Sequence, residues 1–347
     1  MVVKTRVTLW KVLIKVAIAA LATIIIISCT PQSNNKNITF AIPPQFEEAD
    51  GFSDGVAQVL IDGKLSLIGK SGNILTQLIF YRPPAAFSQG LARLEINNKF
   101  GYIDKTAKII IKPQFKQARS FSSGLAAVRL GNKWGYINNR GTFLIKPQFD
   151  EALSFTSGLA AVKFGSKWGY IDTTGKFAIK PEFDKCWNFS DGLGRVQVGD
   201  IWGYIDKIGN MVIENKFDFA DDFSSGLARV RVGNSWGYIN KKGNIVIQEK
   251  FDLAYSFSSG IALVQINEKL GYIDKNGNFV KPPKFDEASD FDEGLAFVKI
   301  GDKRYGYIDN SGNWAIAPQF DNARSFSEGM AAVKVGEKWG YIRNPLK

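Results

Sequence analysis

Glycine returns along this chain with a ruler's regularity. Gly101, Gly135, Gly169, Gly203, Gly237, Gly271, Gly306 and Gly340 are separated by steps of 34, 34, 34, 34, 34, 35 and 34 residues. A second marker, reading Phe-Ser-x-Gly-Leu-Ala in its commonest form, keeps the same frame and is led by Phe52, Phe87, Phe121, Phe155, Phe189, Phe223, Phe257, Phe291 and Phe326, which defines nine units. A fixed period of this length is the mark of a repeat architecture, in which each unit buries its apolar face only against its neighbours. The first unit is atypical, with Leu65-Ser66-Leu67-Ile68 where later units carry Trp-Gly-Tyr-Ile, as expected of a terminal copy.

Within a unit the pattern is that of β-structure. From Gly124 the chain reads LAAVRL, GNK, WGYIN, NRG and TFLIKP, short runs rich in β-branched and aromatic residues bounded by Gly, Asn or Asp. Each unit is therefore predicted to be a three-stranded antiparallel meander followed by an eleven-residue return segment. On the first strand the slot of Val128 is aliphatic in all nine units, and the next residue is polar in all but the first. This alternation predicts one dry face and one solvated face. On the second strand Trp134 and Tyr136 share one face and Ile137 the other, so that strand is expected to be covered on both sides.

The repeated motif is Trp134-Gly135-Tyr136, Trp168-Gly169-Tyr170, Trp202-Gly203-Tyr204, Trp236-Gly237-Tyr238 and Trp339-Gly340-Tyr341, with the variants Phe100-Gly101-Tyr102, Leu270-Gly271-Tyr272 and Tyr305-Gly306-Tyr307. It resembles the WG-repeat, or KWG-repeat, family of bacterial proteins over roughly residues 40 to 347. The resemblance implies a tandem β array and brings no catalytic residues with it. The recurring rings and glycines are expected to build the contacts between units rather than an exposed ligand platform. The fold class expected is all-β, nine meanders of about 34 residues in an open, superhelical or solenoid-like array, because propellers typically have about four to eight blades. A closed propeller-like ring is the alternative, favoured by a third-strand sequence at Ile38 to Pro43 and a final second strand at Tyr341-Ile342.

Residues 1–29 read differently from the array. Lys4, Arg6, Lys11 and Lys15 precede twelve uncharged, mostly apolar residues, Val16 to Ile27, and then Ser28-Cys29. This layout resembles a bacterial lipoprotein signal peptide, with Cys29 as the lipidated residue. Residues 30–37 form a polar tether, and residues 38–347 the repeat array. Cell-envelope localisation follows as an expectation, with the lipid as the membrane contact and the outer membrane favoured in a Gram-negative host, since Thr30 rather than Asp follows Cys29. Lys and Arg exceed Asp and Glu by 11, and four of those charges lie in the leader, leaving about +7. Outside the cytoplasm such a balance suits an acidic envelope protein or an anionic glycan, and no nucleic-acid-binding module is visible.

The chain contains no histidine, which excludes Ser-His and Cys-His nucleophile schemes. No cofactor, metal site or enzymatic activity is expected. Asp150, Asp184, Asp218, Asp252, Asp286 and Asp321 recur after the Phe of each third strand and are read as turn residues. Asp274 to Asn278 is read as a hairpin turn rather than a calcium loop. Cys186, in a slot otherwise holding alanine, is read as a small buried thiol. The candidate ligand-binding residues are the first-strand cations Arg93, Arg129, Lys163, Arg195, Arg229, Arg231, Lys299 and Lys334, assigned to the solvated face. Trp187 and Tyr255 join them from a variable slot of the return segment, which also holds Leu153 and Asp221. The function expected is a lipid-anchored scaffold for protein–protein interaction, with a carbohydrate-binding module as the alternative.

Overall fold

The structure, a computed structural model, describes residues 39–78, 83–302 and 304–347. The leader, Cys29 and the tether lie outside them. The described chain is strand and turn throughout, arranged as nine successive antiparallel sheets. We number these as blades: blade 1 spans 48–77, blade 2 92–115, blade 3 117–149, blade 4 151–183, blade 5 185–217, blade 6 219–251, blade 7 253–285 and blade 8 287–320. Blade 9 is assembled from 322–343 and a strand at the other end of the array, Phe40–Phe46.

Blade 3 shows the pattern. A short strand, Gln117–Ala118, pairs with the first long strand, Ala126–Leu130; this pairs with the second, Lys133–Ile137, and that with the third, Phe143–Phe149. The expected three-stranded meander thus gains a fourth strand of two residues, taken from the return segment. Blade 2 shows three strands, its short-strand stretch adjoining residues 79–82 outside the described set, though Ala85 N still donates to Arg93 O at 2.9 Å. The remainder of the return segment reverses on two left-handed residues, Ser123 (φ 53°) and Gly124 (φ 77°), flanked by a bridge between Ser122 and Leu125. Positive φ at both central residues is the tight-hairpin geometry, which explains a glycine at every copy of this site.

The array closes, which corrects the expected open solenoid in favour of the ring. Phe40–Phe46 lies antiparallel to Lys338–Arg343, with Phe40 opposite Ile342 and Phe46 opposite Trp339. Ile42, Phe46, Trp339 and Tyr341 of blade 9 then form one core with Ala49, Phe52, Val59 and Ile68 of blade 1. Copy number argued for an open array, but a strand donated across the seam satisfies the edge of the last sheet and leaves no apolar blade face uncovered.

Both faces of each first strand are buried, correcting the expectation of one solvated face. Ala126, Val128 and Ile137 pack on Tyr102 and Phe115 of blade 2, whereas Ala127, Trp134 and Tyr136 pack on Ala152, Phe155 and Val162 of blade 4. Period two remains, but each side of the strand meets a neighbouring blade, and a polar residue on it reaches the margin of an inter-blade cleft.

Polar bonds follow the same sequence of blades. The Tyr136 hydroxyl donates to Leu153 O at 2.8 Å in the next blade, and equivalent bonds run from Tyr102, Tyr170, Tyr204, Tyr238, Tyr272, Tyr307 and Tyr341. Ser122 Oγ donates to Phe155 O at 2.7 Å, a bond repeated across the seam by Ser327 to Phe52 O at 2.6 Å. A buried hydroxyl that finds a carbonyl fixes the angle between sheets that apolar contact alone leaves loose.

Candidate functional site: the clefts between blades

The residues that build the ring are unavailable to a ligand. Trp134, Trp168, Trp202, Trp236 and Trp339 are 4 to 9% exposed, each facing the next blade. The glycine that follows each Trp is required by the backbone of the third strand. A Cβ on Gly135 would sit 2.5 Å from Ile145 O and 2.7 Å from Pro147 N, and Gly169, Gly203, Gly237 and Gly340 are equally confined. The crossing strand bulges toward this point, which is where its register with the second strand shifts.

The six repeated aspartates are consumed by turns, as read. Asp150 Oδ2 accepts from Gly165 N at 2.9 Å, and Asp184, Asp218, Asp252, Asp286 and Asp321 accept from the matching amide in their own blades. Asp150 also meets Lys133 Nζ at 2.6 Å, and the ammonium and the amide together hold its carboxyl below the usual carboxylate range. The lysine of the KWGY stretch therefore braces a turn. Asp274 Oδ1 accepts from Asn276 N and Asn278 N at 2.9 Å, closing a hairpin. Cys186 is buried, with its thiol pushed up by desolvation.

The candidate cations are not one exposed row. Arg93, Arg195 and Arg229 stand one position before the aliphatic slot, beneath the next blade, and each sends Nη1 to a carbonyl there: Ala118 at 2.7 Å, Ala220 and Ala254. Arg195 is only 6% exposed. The others are half-buried at cleft margins. Lys163 faces Glu151 at 3.9 Å, Lys299 faces Glu287 at 3.1 Å and Lys334 faces Glu337 at 3.8 Å. Arg231 lies over the Trp236 ring and Arg129 bonds Gln117. Trp187 and Tyr255 do project outward, 44% and 36% exposed.

Two groups of clefts stand out. Between blades 5, 6 and 7, Arg195 meets Asp221 at 3.5 Å and Asp222 at 3.2 Å, and its guanidinium lies 5.2 Å from the Trp187 ring and 5.0 Å from the Trp202 ring. Arg229 Nη2 meets the same Asp221 at 2.7 Å and stacks on Trp236. Here Arg195 and Arg229 each have a carboxylate. Asp221 is held below the carboxylate range by an amide bond and these arginines despite burial, while desolvation pushes Asp222 up. Between blades 2, 3 and 4 a cleft of about 690 Å³ is lined by Arg93, Arg119, Arg129 and Lys116, with the rings of Phe100 and Trp134 beneath. Arg93 lies 5.3 Å from the Phe100 ring and Arg119 5.6 Å from that of Trp134. Among the described residues no carboxylate pairs with Arg93, Arg119 or Arg129. Burial pushes the Arg119 guanidinium down from its ordinary value and the charge of Arg93 adds to this, with Glu151 opposing.

The family description "WG containing repeat" matches the chain over residues 35–64, 100–134, 134–168, 168–200, 202–236, 236–269, 271–303 and 305–339. The chain belongs to the WG-repeat family. Within the array the long unmatched stretch, 65–99, coincides with the worn Leu65-Ser66-Leu67 copy, which the structure nonetheless folds as part of the ring. No curated protein matches this WG-repeat chain by sequence. Among solved structures it is similar to a eukaryotic initiation factor, at TM-score 0.61 and 12% identity over 88% of this chain and 94% of that one. It is also similar to the computationally designed Ika8 protein, at TM-score 0.47 and 9% identity over 87% and 96%, and to BamB from Moraxella catarrhalis, at TM-score 0.41 and 11% identity over 65% and 79%. At 12% identity the likeness to the initiation factor is one of fold alone.

Sequence reasoning passed over Arg119, Asp222 and Arg324. Arg119, Asp221 and Arg324 all occupy the variable slot that also holds Leu153, Trp187 and Tyr255, immediately after the alanine of the short strand. Reading that slot through all nine units of the WG-repeat frame was the signal available.

Proposed function

We propose that this WG-repeat ring is a binding scaffold, lipid-anchored through Cys29 in the bacterial cell envelope and without chemistry of its own. Its occupants would be chosen by the side chains at the inter-blade clefts. One observation carries the reading: the variable slot beside each short strand holds a different residue in successive blades, among them Arg119, Leu153, Trp187, Asp221 and Tyr255, while the ring-building residues stay nearly constant. A rigid frame with diversified margins is the arrangement of a recognition surface, where exposed aromatic and arginine side chains supply most of the binding energy. The leader sequence and its Ser28-Cys29 junction support the anchor, and the absence of histidine supports a role in binding.

The test is site-specific photocrosslinking in living cells, with the photoreactive residue placed at Trp187 or Tyr255 and, as a control, at Ile208, a fully solvated hairpin tip 78% exposed. A discrete adduct from the two slot positions and none from the tip is expected. Equal labelling at all three, or none anywhere, would refute the scaffold reading. Metabolic palmitate labelling that is lost in Cys29→Ala checks the anchor separately.

A further inference from the structure

We infer that the cleft between blades 2, 3 and 4 binds an acidic side chain of a partner protein, an aspartate or glutamate held by Arg93 and Arg119 over the rings of Phe100 and Trp134. This inference rests on the scaffold reading and gives it one ligand chemistry.

The ring contains its own controls, because the same slots recur. Advancing three units carries Arg93 onto Arg195, Phe100 onto Trp202, Ala118 onto Ala220 and Arg119 onto Asp221. The backbone contact is common to both copies, Nη1 reaching the alanine carbonyl of the next blade. The counter-charge is not. Arg195 is met by Asp221 at 3.5 Å and Asp222 at 3.2 Å, whereas the position of Asp221 is filled by a second cation, Arg119, beside Arg93. Arg119 has its own counterpart in Arg324, which likewise lies over the tryptophan of its blade, at 5.2 Å from Trp339, and pairs with Asp50 of the next blade at 3.5 Å. The slot matching Asp50 in the next blade from Arg119 holds Leu153. Both guanidiniums thus lack the aspartate that their equivalents have.

The acidic residues lining the cleft do not supply it. Asp150 is occupied by Lys133 and by the amide of Gly165, and Glu151 faces Lys163 at 3.9 Å. Half-buried arginines of like charge over aromatic rings form a site whose unoccupied state is electrostatically costly and whose complement is an anion. A carboxylate on a short side chain is the anion that the ring itself sets against the equivalents of these two arginines, Asp221 against Arg195 and Asp50 against Arg324. The cleft volume of about 690 Å³ admits a short peptide segment around such a side chain.

The experiment measures binding of a fluorescent Asp-Gly repeat peptide to the purified full-length protein, with the Asn-Gly peptide and a sulfated polysaccharide as comparisons. The Asp peptide should bind at least about ten-fold more tightly than the Asn peptide, and Arg93→Gln or Arg119→Gln should weaken it by about ten-fold or more. Arg119→Asp recreates the internal pair of Arg195 with Asp221, so it should abolish peptide binding and at the same time raise the melting temperature. The double change Lys167→Gln, Lys269→Gln removes two turn-bracing cations that already have carboxylate partners and should leave the affinity unaltered. Equal affinity for the two peptides, indifference to Arg119→Asp, or an equal loss in the Lys167, Lys269 variant would each overturn the inference. Competition by the sulfated polysaccharide at the same arginines, with the Asp peptide bound more weakly, would overturn it in favour of a glycan. Crosslinks from Trp187 and Tyr255 do not depend on this cleft, so their persistence would show that only the ligand assignment had failed.

Discussion

The Tyr341 hydroxyl donates to the main-chain carbonyl of Asp50 at 2.7 Å, joining residues 291 positions apart in sequence. Chemically it is the same bond that Tyr136 makes to Leu153, 17 residues on. The seam is therefore not a makeshift joint: it reproduces the contact used between blades of continuous sequence. The tyrosine ring adds an aromatic contact there, its centroid 5.0 Å from that of Phe52.

Tyr341→Phe keeps the ring and removes the bond, leaving a carbonyl unpaired. The expected loss of stability is about 1–2 kcal/mol in denaturant titration, and Tyr136→Phe should lose the same amount. A far larger loss for Tyr341→Phe would show that the seam is weaker than the other interfaces.

Two glycines separate steric from conformational demands. Gly135→Ala would place a methyl against Ile145 O and Pro147 N and should cost about 3 kcal/mol. Gly124→Ala meets no atom within 4 Å but keeps a left-handed backbone, and should cost about 1 kcal/mol. Chemical denaturation of both variants gives the order directly, and the reverse order would contradict the bulged crossing at the second strand.

Arg195→Met removes the cation from between Asp221 and Asp222 while keeping most of the side-chain volume. Breaking a buried pair on one side typically costs about 3–5 kcal/mol, moderated here because Arg229 still holds Asp221. Adding Asp222→Asn should restore part of the loss. Additive losses in this pair of variants, read from thermal or urea unfolding, would mean that the two residues do not interact.

Acid sensitivity follows from the turn aspartates. Asp150, Asp184 and Asp286 are held below the ordinary carboxylate value by Lys133, Lys167 and Lys269 together with turn amides. A carboxyl depressed in the folded chain binds its proton more weakly there than in the unfolded chain. Its contribution is therefore complete above the unfolded value of about 3.9 and is lost as pH falls through the folded value. Asp222, raised by burial, acts with the opposite sign. Urea midpoints should hold steady from about pH 7 to 5 and fall below about pH 4. The fall should be shallower in Asp150→Asn, Asp286→Asn, and an unaltered slope would remove these turns from the account.

Much of the fold is legible in the sequence because nine copies act as their own alignment. The period, the strand boundaries, the buried tryptophans and the turn role of Asp150 all follow from residues that repeat. Closure was harder to read, since it depends on whether Phe40–Phe46 finds Lys338–Arg343, a pairing across the whole array. The candidate site was misread for a related reason. Arg93 and Arg129 lie on the first strands of neighbouring blades, in slots two positions apart in the repeat that share a face, yet Arg93 reaches a main-chain carbonyl of the next blade whereas Arg129 stays at the cleft margin, and burial of that kind is set by neighbours rather than by alternation. Arg119 was invisible for the opposite reason: it sits in a slot where no two successive units agree, so no repeated residue marks it.

The donated strand also imposes an order of events during biosynthesis. Phe40–Phe46 is synthesised long before Lys338–Arg343, so the first of the described strands must wait for the last of them, and until then both flanks of an eight-blade arc stay uncapped. Nascent chains of this kind need shielding from one another for the whole of translation, and a premature stop within the final sheet would release an arc with two adhesive ends rather than a slightly shortened ring.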